Sequence, residues 1–136
     1  MASIPSRTIR IAAALIDDDA GRLLLVRKAG TRWFMQAGGK IEPGESALSA
    51  LRRELAEEIG FERSDEDARY LGRFSASAAN EPDTIVEAEL FHVRAEHAAR
   101  TLAEIEEAIW VSGAEAAALP LAPLTRDVVL PLSKQL

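Results

Sequence analysis

Glu54, Glu57 and Glu58 are the residues whose types and spacing could do chemistry. At about 100° per residue, positions i, i+3 and i+4 share one helix face, so the three carboxylates stand side by side. Like charges at these spacings cost about 0.2–0.5 kcal/mol per pair. Glu57 and Glu58 also fall in the last turn before Gly60, where the helix dipole disfavours anions. The positions four residues after each acid hold Glu58, Phe61 and Glu62 rather than Lys or Arg, and Arg52 and Arg53 are expected on the flanks. One reading of such a face is a solvated acidic surface. The other is a site for a hard dication, Mg²⁺ or Mn²⁺, which takes carboxylate oxygens, keeps waters and shares its shell with phosphates. Gly38 and Gly39 precede this helix and either turn the chain or let its backbone approach an ion or phosphate closely. Together the two features suggest metal-assisted attack of water on a phosphoanhydride.

The element that must position the acids is well marked. Ser46 suits an N-cap and Gly60 a C-terminal left-handed cap. Between them Leu48, Leu51, Leu55 and Ile59 form one apolar stripe that should lie on a sheet. Residues 7–16 and 22–27 read as the strands of a β-hairpin around the turn formers Asp17-Asp18-Asp19-Ala20-Gly21. The Asp triplet does not continue into a calcium loop, because Lys28 and Ala29 stand where its glutamate is required. A solvated turn is expected there. Residues 28–44 read as a Gly/Pro-punctuated loop. Residues 70–77, 84–93 and 107–111 read as further strands, the first two joined across Asn80-Glu81-Pro82-Asp83. Ser112 and Glu115 have the capping-box spacing, and residues 124–130 are expected to form a last short helix stopped by Pro131. That order predicts an α/β/α layered domain with a mixed sheet.

Length and composition narrow the function classes. A chain of 136 residues with 48% hydrophobic and 28% charged residues is read as one domain, residues 1–136. With no Cys, disulfide frameworks, cysteine zinc sites and thiol catalysis are excluded. A net charge of −6 argues against a stable nucleic-acid partner, since that affinity rests on Lys and Arg. The apolar run 11–16 is too short for a secretory core or a membrane span, so no membrane association and a cytoplasmic location are expected.

The segment 39–61 resembles the signature of the Nudix hydrolases, G-x5-E-x7-R-E-U-x-E-E-x-G-U with U apolar. Gly39, Glu45, Arg53, Glu54, Leu55, Glu57, Glu58, Gly60 and Phe61 occupy its nine constrained positions in order. The resemblance implies a Nudix-type α/β/α sandwich in which the box is a loop-helix-loop motif. It implies hydrolysis of the pyrophosphate bond in a nucleoside diphosphate linked to another moiety, a small-molecule nucleotide derivative, with Mg²⁺ or Mn²⁺ as cofactor. By position Glu54, Glu57 and Glu58 are the metal ligands, with the Gly38 carbonyl as a further one. Arg53 and Glu45 hold loop to helix, while Gly39, Glu45 and Gly60 are structural. For the general base the family offers two places, Glu54 in the box and an acid of a later loop, which matches Glu104, six residues before Trp110. Pairing into a homodimer is common in the family. Ala37 stands where a proline often precedes the Gly-Gly pair, which loosens the loop without removing a ligand. The rival reading is a non-catalytic Nudix-fold sensor of a nucleotide metabolite, which a degraded box would favour; every acid is present here.

Outside the box, Arg27 and Lys40 are the cations best placed, near the hairpin end and the loop, to contact substrate phosphates; Arg7, Arg10 and Lys28 are others, with a solvated surface as the competing reading. Trp33, Phe34, Tyr70, Phe74 and Trp110 could stack on a base, though aromatic strand residues are mostly core. Glu87 and Glu89 alternate onto one strand face and could reach the cleft, with solvent exposure the favoured reading. His92 and His97 lack a spaced partner and are assigned structural or exposed places.

Overall fold

The computed structural model describes residues 7–62, 67–79, 81–95 and 99–136. Its first two strands, β1 (Arg7–Asp17) and β2 (Leu23–Lys28), are apolar at successive residues and therefore need cover on both faces. Their buried side chains divide by parity. Ala12, Ala14, Ile16, Leu24 and Val26 belong to one core, and Ala13, Leu15, Leu23 and Leu25 to the other.

The remaining strands are β3 (Phe34–Met35), β4 (Ala37–Lys40), β5 (Ala68–Ser77), β6 (Thr84–Arg94) and β7 (Ile105–Val111). They build one mixed sheet in the order β3-β2-β1-β6-β5, with β4 paired to β1 and β7 to β2. The β1–β6 pairing is parallel and runs from Arg7↔Thr84 to Asp17↔Arg94, while the others are antiparallel. The expected 7–27 hairpin is a hairpin only at its turn: β1 and β2 share the single register Asp17↔Leu23 and then part. The gap is taken by β4, which pairs with β1 from Ile11↔Lys40 to Ala14↔Ala37. Part of the segment read as a loop is thus strand.

Of the Asp triplet, Asp19 is exposed as expected of a turn, whereas Asp17 and Asp18 are structural rather than solvated. Asp18 is buried and accepts hydrogen bonds from the backbone N–H groups of Ala20 (3.0 Å) and Arg22 (2.8 Å) and from Arg22 Nε (2.7 Å). Asp17, also buried, meets His92 Nε2 and Arg94 Nε, each at 2.7 Å. His92 therefore has the structural place expected, and His97 lies outside the described residues.

One face of the sheet is covered by α1 (Ala47–Ile59), whose Leu51, Leu55 and Ile59 enter the first core. The Ser46 side chain accepts from Ser49 N–H at 3.1 Å, and Gly60 closes the helix in the left-handed region at φ 71°. The other face is covered by α2 (Gly113–Ala117), opened by the Ser112–Glu115 capping box, and by the C-terminal helical segment. In that segment a π-helical turn, Thr125–Val129, runs into α3 (Leu130–Ser133). Pro131 does not stop it, contrary to expectation. The Leu130 N–H reaches back to the Thr125 carbonyl across a widened turn, and Pro131 sits in the first turn of α3, where a missing N–H costs no helical bond. The result is the expected α/β/α sandwich with a mixed sheet.

Candidate active site

Gly38 and Gly39 are the backbone on which the site is assembled. In β4 they pair with Ala13 and Ala12 of β1, and Gly38 has φ 147°, a conformation side chains rarely adopt. A Cβ on Gly38 would overlap the Ala12 carbonyl oxygen, and one on Gly39 would overlap the Glu54 carboxylate. Only glycine lets β4 lie against β1 on one side and the acidic helix on the other.

The three acids differ once the fold surrounds them. Glu57 is open to solvent, its side chain 56% exposed, whereas the Glu54 side chain is 15% exposed against Gly39. Glu58 is only 3% exposed, and its Oε1 accepts from the Gly38 N–H at 3.2 Å. Burial pushes the Glu58 carboxyl up to about 7; the Gly38 N–H and the charge of Lys28 pull it back, and the charges of Glu54 and Glu104 raise it further.

Arg53, expected on the flank of the helix, is instead paired with the acidic face. Its Nη1 lies 2.7 Å from Glu54 and 3.6 Å from Glu57, the latter four residues ahead on the helix. Its Nε and Nη2 each donate to the Glu45 carboxylate at 2.9 Å, and Nη2 also reaches the Lys40 carbonyl at 3.1 Å. The guanidinium thus ties the Glu45 loop, the end of β4 and the helix together, and it holds the Glu45 carboxyl down at about 2. Among the described residues no group of three or more acidic or imidazole side chains is already arranged to hold a metal ion.

The chemistry of the donors fits a hard dication nonetheless. All are oxygens, and among the described residues the buried Glu58 carboxylate forms no ion pair, only the Gly38 N–H bond and the longer-range pull of Lys28, so its negative charge is left largely uncompensated.

The cations are distributed differently from the sequence reading. Arg27 is committed to β7 and its own turn: it contacts Glu107 at 2.6 Å and Glu106 at 3.5 Å, and donates to the Thr31 carbonyl at 2.8 Å. It is not among the residues lining the cavity that adjoins Gly38 and Gly39. Lys28 does line it, acts on Glu58 and lies 3.4 Å from Glu104 Oε1. Lys40 lines it too and is exposed. Glu104 is exposed, and its backbone carbonyl accepts from the Ala29 N–H at 2.8 Å, which fixes its loop beside Lys28. Glu89 is buried rather than solvated, held by Tyr70 Oη at 2.7 Å and Arg73 Nε at 2.6 Å. Of the aromatic candidates, Phe34 is core and Tyr70 is exposed.

A cavity of about 190 Å³ adjoins the same glycines. Its apolar wall includes Ile9, Ile11, Met35, Val86 and Leu124; Gln36, Lys28 and the β4 residues Gly38, Gly39 and Lys40 complete the side nearest the acids. The Gly38–Gly39 strand is therefore shared between the cavity and the carboxylates.

Comparison with known proteins gives the same outline. Residues 7–132 match the NUDIX domain. The chain is 36% identical over 124 residues to the CTP pyrophosphohydrolase of Escherichia coli, covering 86% of this chain and 85% of that protein. Over 59 residues, 40% of this chain and 43% of the other, it is 38% identical to the 8-oxo-dGTP diphosphatase of Haemophilus influenzae. Among solved structures, the MutT protein from Methanosarcina mazei superimposes with a TM-score of 0.78 at 22% identity, over 98% of this chain and 97% of that one, a likeness of fold.

Proposed function

We propose, from the premise that this chain belongs to the NUDIX family and is a pyrophosphohydrolase, that it opens a nucleoside triphosphate with a divalent cation as cofactor. The single observation that carries the metal is the buried Glu58 carboxylate at the acidic end of α1, next to Glu54 and Glu57 and against the Gly38 N–H. A triphosphate is chosen because the two relatives are named for CTP and 8-oxo-dGTP, and because the cavity takes one apolar ring system while cations border it.

Glu54, Glu57, Glu58 and the Gly38 carbonyl are the oxygens that would hold Mg²⁺ or Mn²⁺. Once bound, the ion supplies positive charge for the phosphates and acidity for a bound water. The chain's own residues do the rest. Lys28 and Lys40 receive phosphate oxygens at the border of the cavity. Arg53 fixes the Glu45 loop against the helix, so Gly38 and Gly39 keep their place. We assign removal of the water proton to the Glu54 carboxylate, which lies against Gly39, a cavity residue. Glu104 then holds Lys28 rather than acting as base. The reaction belongs in the cytoplasm, where nucleotides are abundant, and no helix among the described residues is long and apolar enough to cross a membrane.

Incubation with ATP, GTP, CTP and UTP and Mg²⁺ in ¹⁸O-water tests the reading. The expected products are a nucleoside monophosphate and pyrophosphate, one of them carrying the label. Release of orthophosphate alone, or no turnover of any of the four, would contradict it.

A further inference from the structure

Gln36 is a buried polar residue that the hydrolytic machinery does not use. It joins β3 to β4, is 7% exposed and lines the cavity. Its Oε1 accepts from the Thr125 hydroxyl at 2.7 Å, and Thr125 itself is 1% exposed at the start of the π-helical turn. Widened helical turns of this kind recur at functional sites. The Gln36 amide nitrogen has no hydrogen-bond partner among the described residues, yet no side-chain nitrogen or oxygen that is wholly buried lacks one. The amide nitrogen is therefore reached from open space, and the space Gln36 lines is the cavity.

An amide ordinarily offers both a donor and an acceptor, which is how Gln reads adenine through N6 and N7 together. Here the acceptor is occupied by Thr125, and what faces the cavity is an NH₂ group alone. Of the other polar side chains of the wall, Lys28 and Lys40 only donate, while Glu81, 3.4 Å from Arg7, keeps acceptor capacity. Ser77 remains, able to do either. At about 190 Å³ the cavity is smaller than the roughly 300–1,000 Å³ of clefts that enclose a whole drug-sized ligand, which suits one base with its phosphates outside.

We propose that Thr125 holds Gln36 as a donor-only reader, so that the cavity selects bases presenting a ring carbonyl and rejects adenine. A base with O6 and N7, or with O2 beside N3, offers acceptors to the NH₂ group. Where guanine presents O6, adenine presents its 6-amino group, which would meet the Gln36 NH₂ group donor to donor, and that opposition inside the cavity is what discriminates against it. The inference rests on the nucleotide-hydrolase reading for the identity of the ligand as a base.

The test compares kcat/KM for ATP, GTP, CTP and UTP with Mg²⁺ in the wild type, Thr125→Ser, Thr125→Val and Gln36→Glu, each shown to be folded by circular dichroism. In the wild type the best carbonyl-bearing substrate exceeds ATP by on the order of tenfold or more. Thr125→Ser keeps that ratio. Thr125→Val frees the amide to turn and shrinks it by about tenfold, and Gln36→Glu, an acceptor of the same shape, moves it toward ATP. ATP used as well as the best of the others by the wild type, or a ratio unmoved in both Thr125→Val and Gln36→Glu, would overturn the proposal. Titration with AMP, GMP, CMP and UMP without metal separates the two readings. Selective binding of the carbonyl-bearing monophosphates without turnover of any triphosphate supports the reader and sinks the hydrolase; equal turnover of all four does the reverse.

Discussion

Glu58 has the charge that the fold tolerates least. Its folded pKa of about 7 lies above the ordinary carboxylate value of 4.5, so between those limits the native chain keeps a proton that the unfolded chain has released. This group's contribution therefore lowers stability as pH rises from about 4.5 through about 7, and the full penalty is present above that. Glu58→Gln keeps an oxygen for the Gly38 N–H and removes the charge. The metal-free variant is expected to be more stable than wild type by about 2–3 kcal/mol at pH 8 and equally stable near pH 4, measured by urea unfolding. A solvated glutamate would show no such crossover. Arg53 and Glu45 have the opposite sign. The Glu45 carboxyl, held at about 2 by the guanidinium, contributes stability above the unfolded value that is lost as pH falls from about 4.5 toward 2. In Arg53→Ala the Glu45 carboxyl is expected by NMR to titrate well above 2 yet still below the free value, since the Glu42 N–H continues to hold it down; a value still near 2 would remove Arg53 as the main cause. At this scale the site was partly legible. The acids and the glycines follow from residue type and spacing, the Arg53–Glu45 pairing follows from the resemblance to the Nudix box, and Arg53 four places before Glu57 was a readable signal of its counter-charge. The burial of Glu58 was not legible, because it depends on where β4 lies.

At the scale of elements, α1 could be read in advance because its apolar stripe, Ser46 cap and Gly60 stop all agree. The strands β3 and β4 could not. β3 has only two residues, the four of β4 have little strand propensity of their own, and β4 is a strand because β1 offers it an unpaired edge. The same pairing makes Gly38 indispensable. Gly38→Ala is expected to cost about 2 kcal/mol or more in stability, since its φ and the Ala12 carbonyl both exclude a Cβ. Gly113, the first residue of α2, has nothing within 4 Å of a Cβ, and Gly113→Ala is expected to be neutral or slightly stabilising. Comparable losses in both variants by thermal unfolding would show that Gly38 is not special. The π-helical turn escaped the sequence reading because Pro131 is a stop signal in a regular helix and is accommodated only once the preceding turn widens.

For the whole molecule, the layered class was legible from element order and the family from the box, but the topology was not. The parallel β1–β6 ladder and the separation of β1 from β2 are long-range pairings, with no local signal in either strand. They also decide which cation meets the site: both faces of β2 are buried, so no polar alternation distinguishes Lys28 from Arg27 in advance. A chain of net charge −6 must bring a polyanionic nucleotide to a cluster of carboxylates, which requires local positive charge that two lysines supply only in part. The central claim is that a dication meets the remainder at Glu57 and Glu58. Calorimetric titration of the metal-free protein with Mn²⁺ at pH 7.5 tests it most directly. Saturable binding in or below the range of about 10⁻⁴–10⁻³ M is predicted for wild type, weakened on the order of tenfold or more in both Glu57→Gln and Glu58→Gln. Absence of binding in wild type, or binding that both variants leave unchanged, would contradict it.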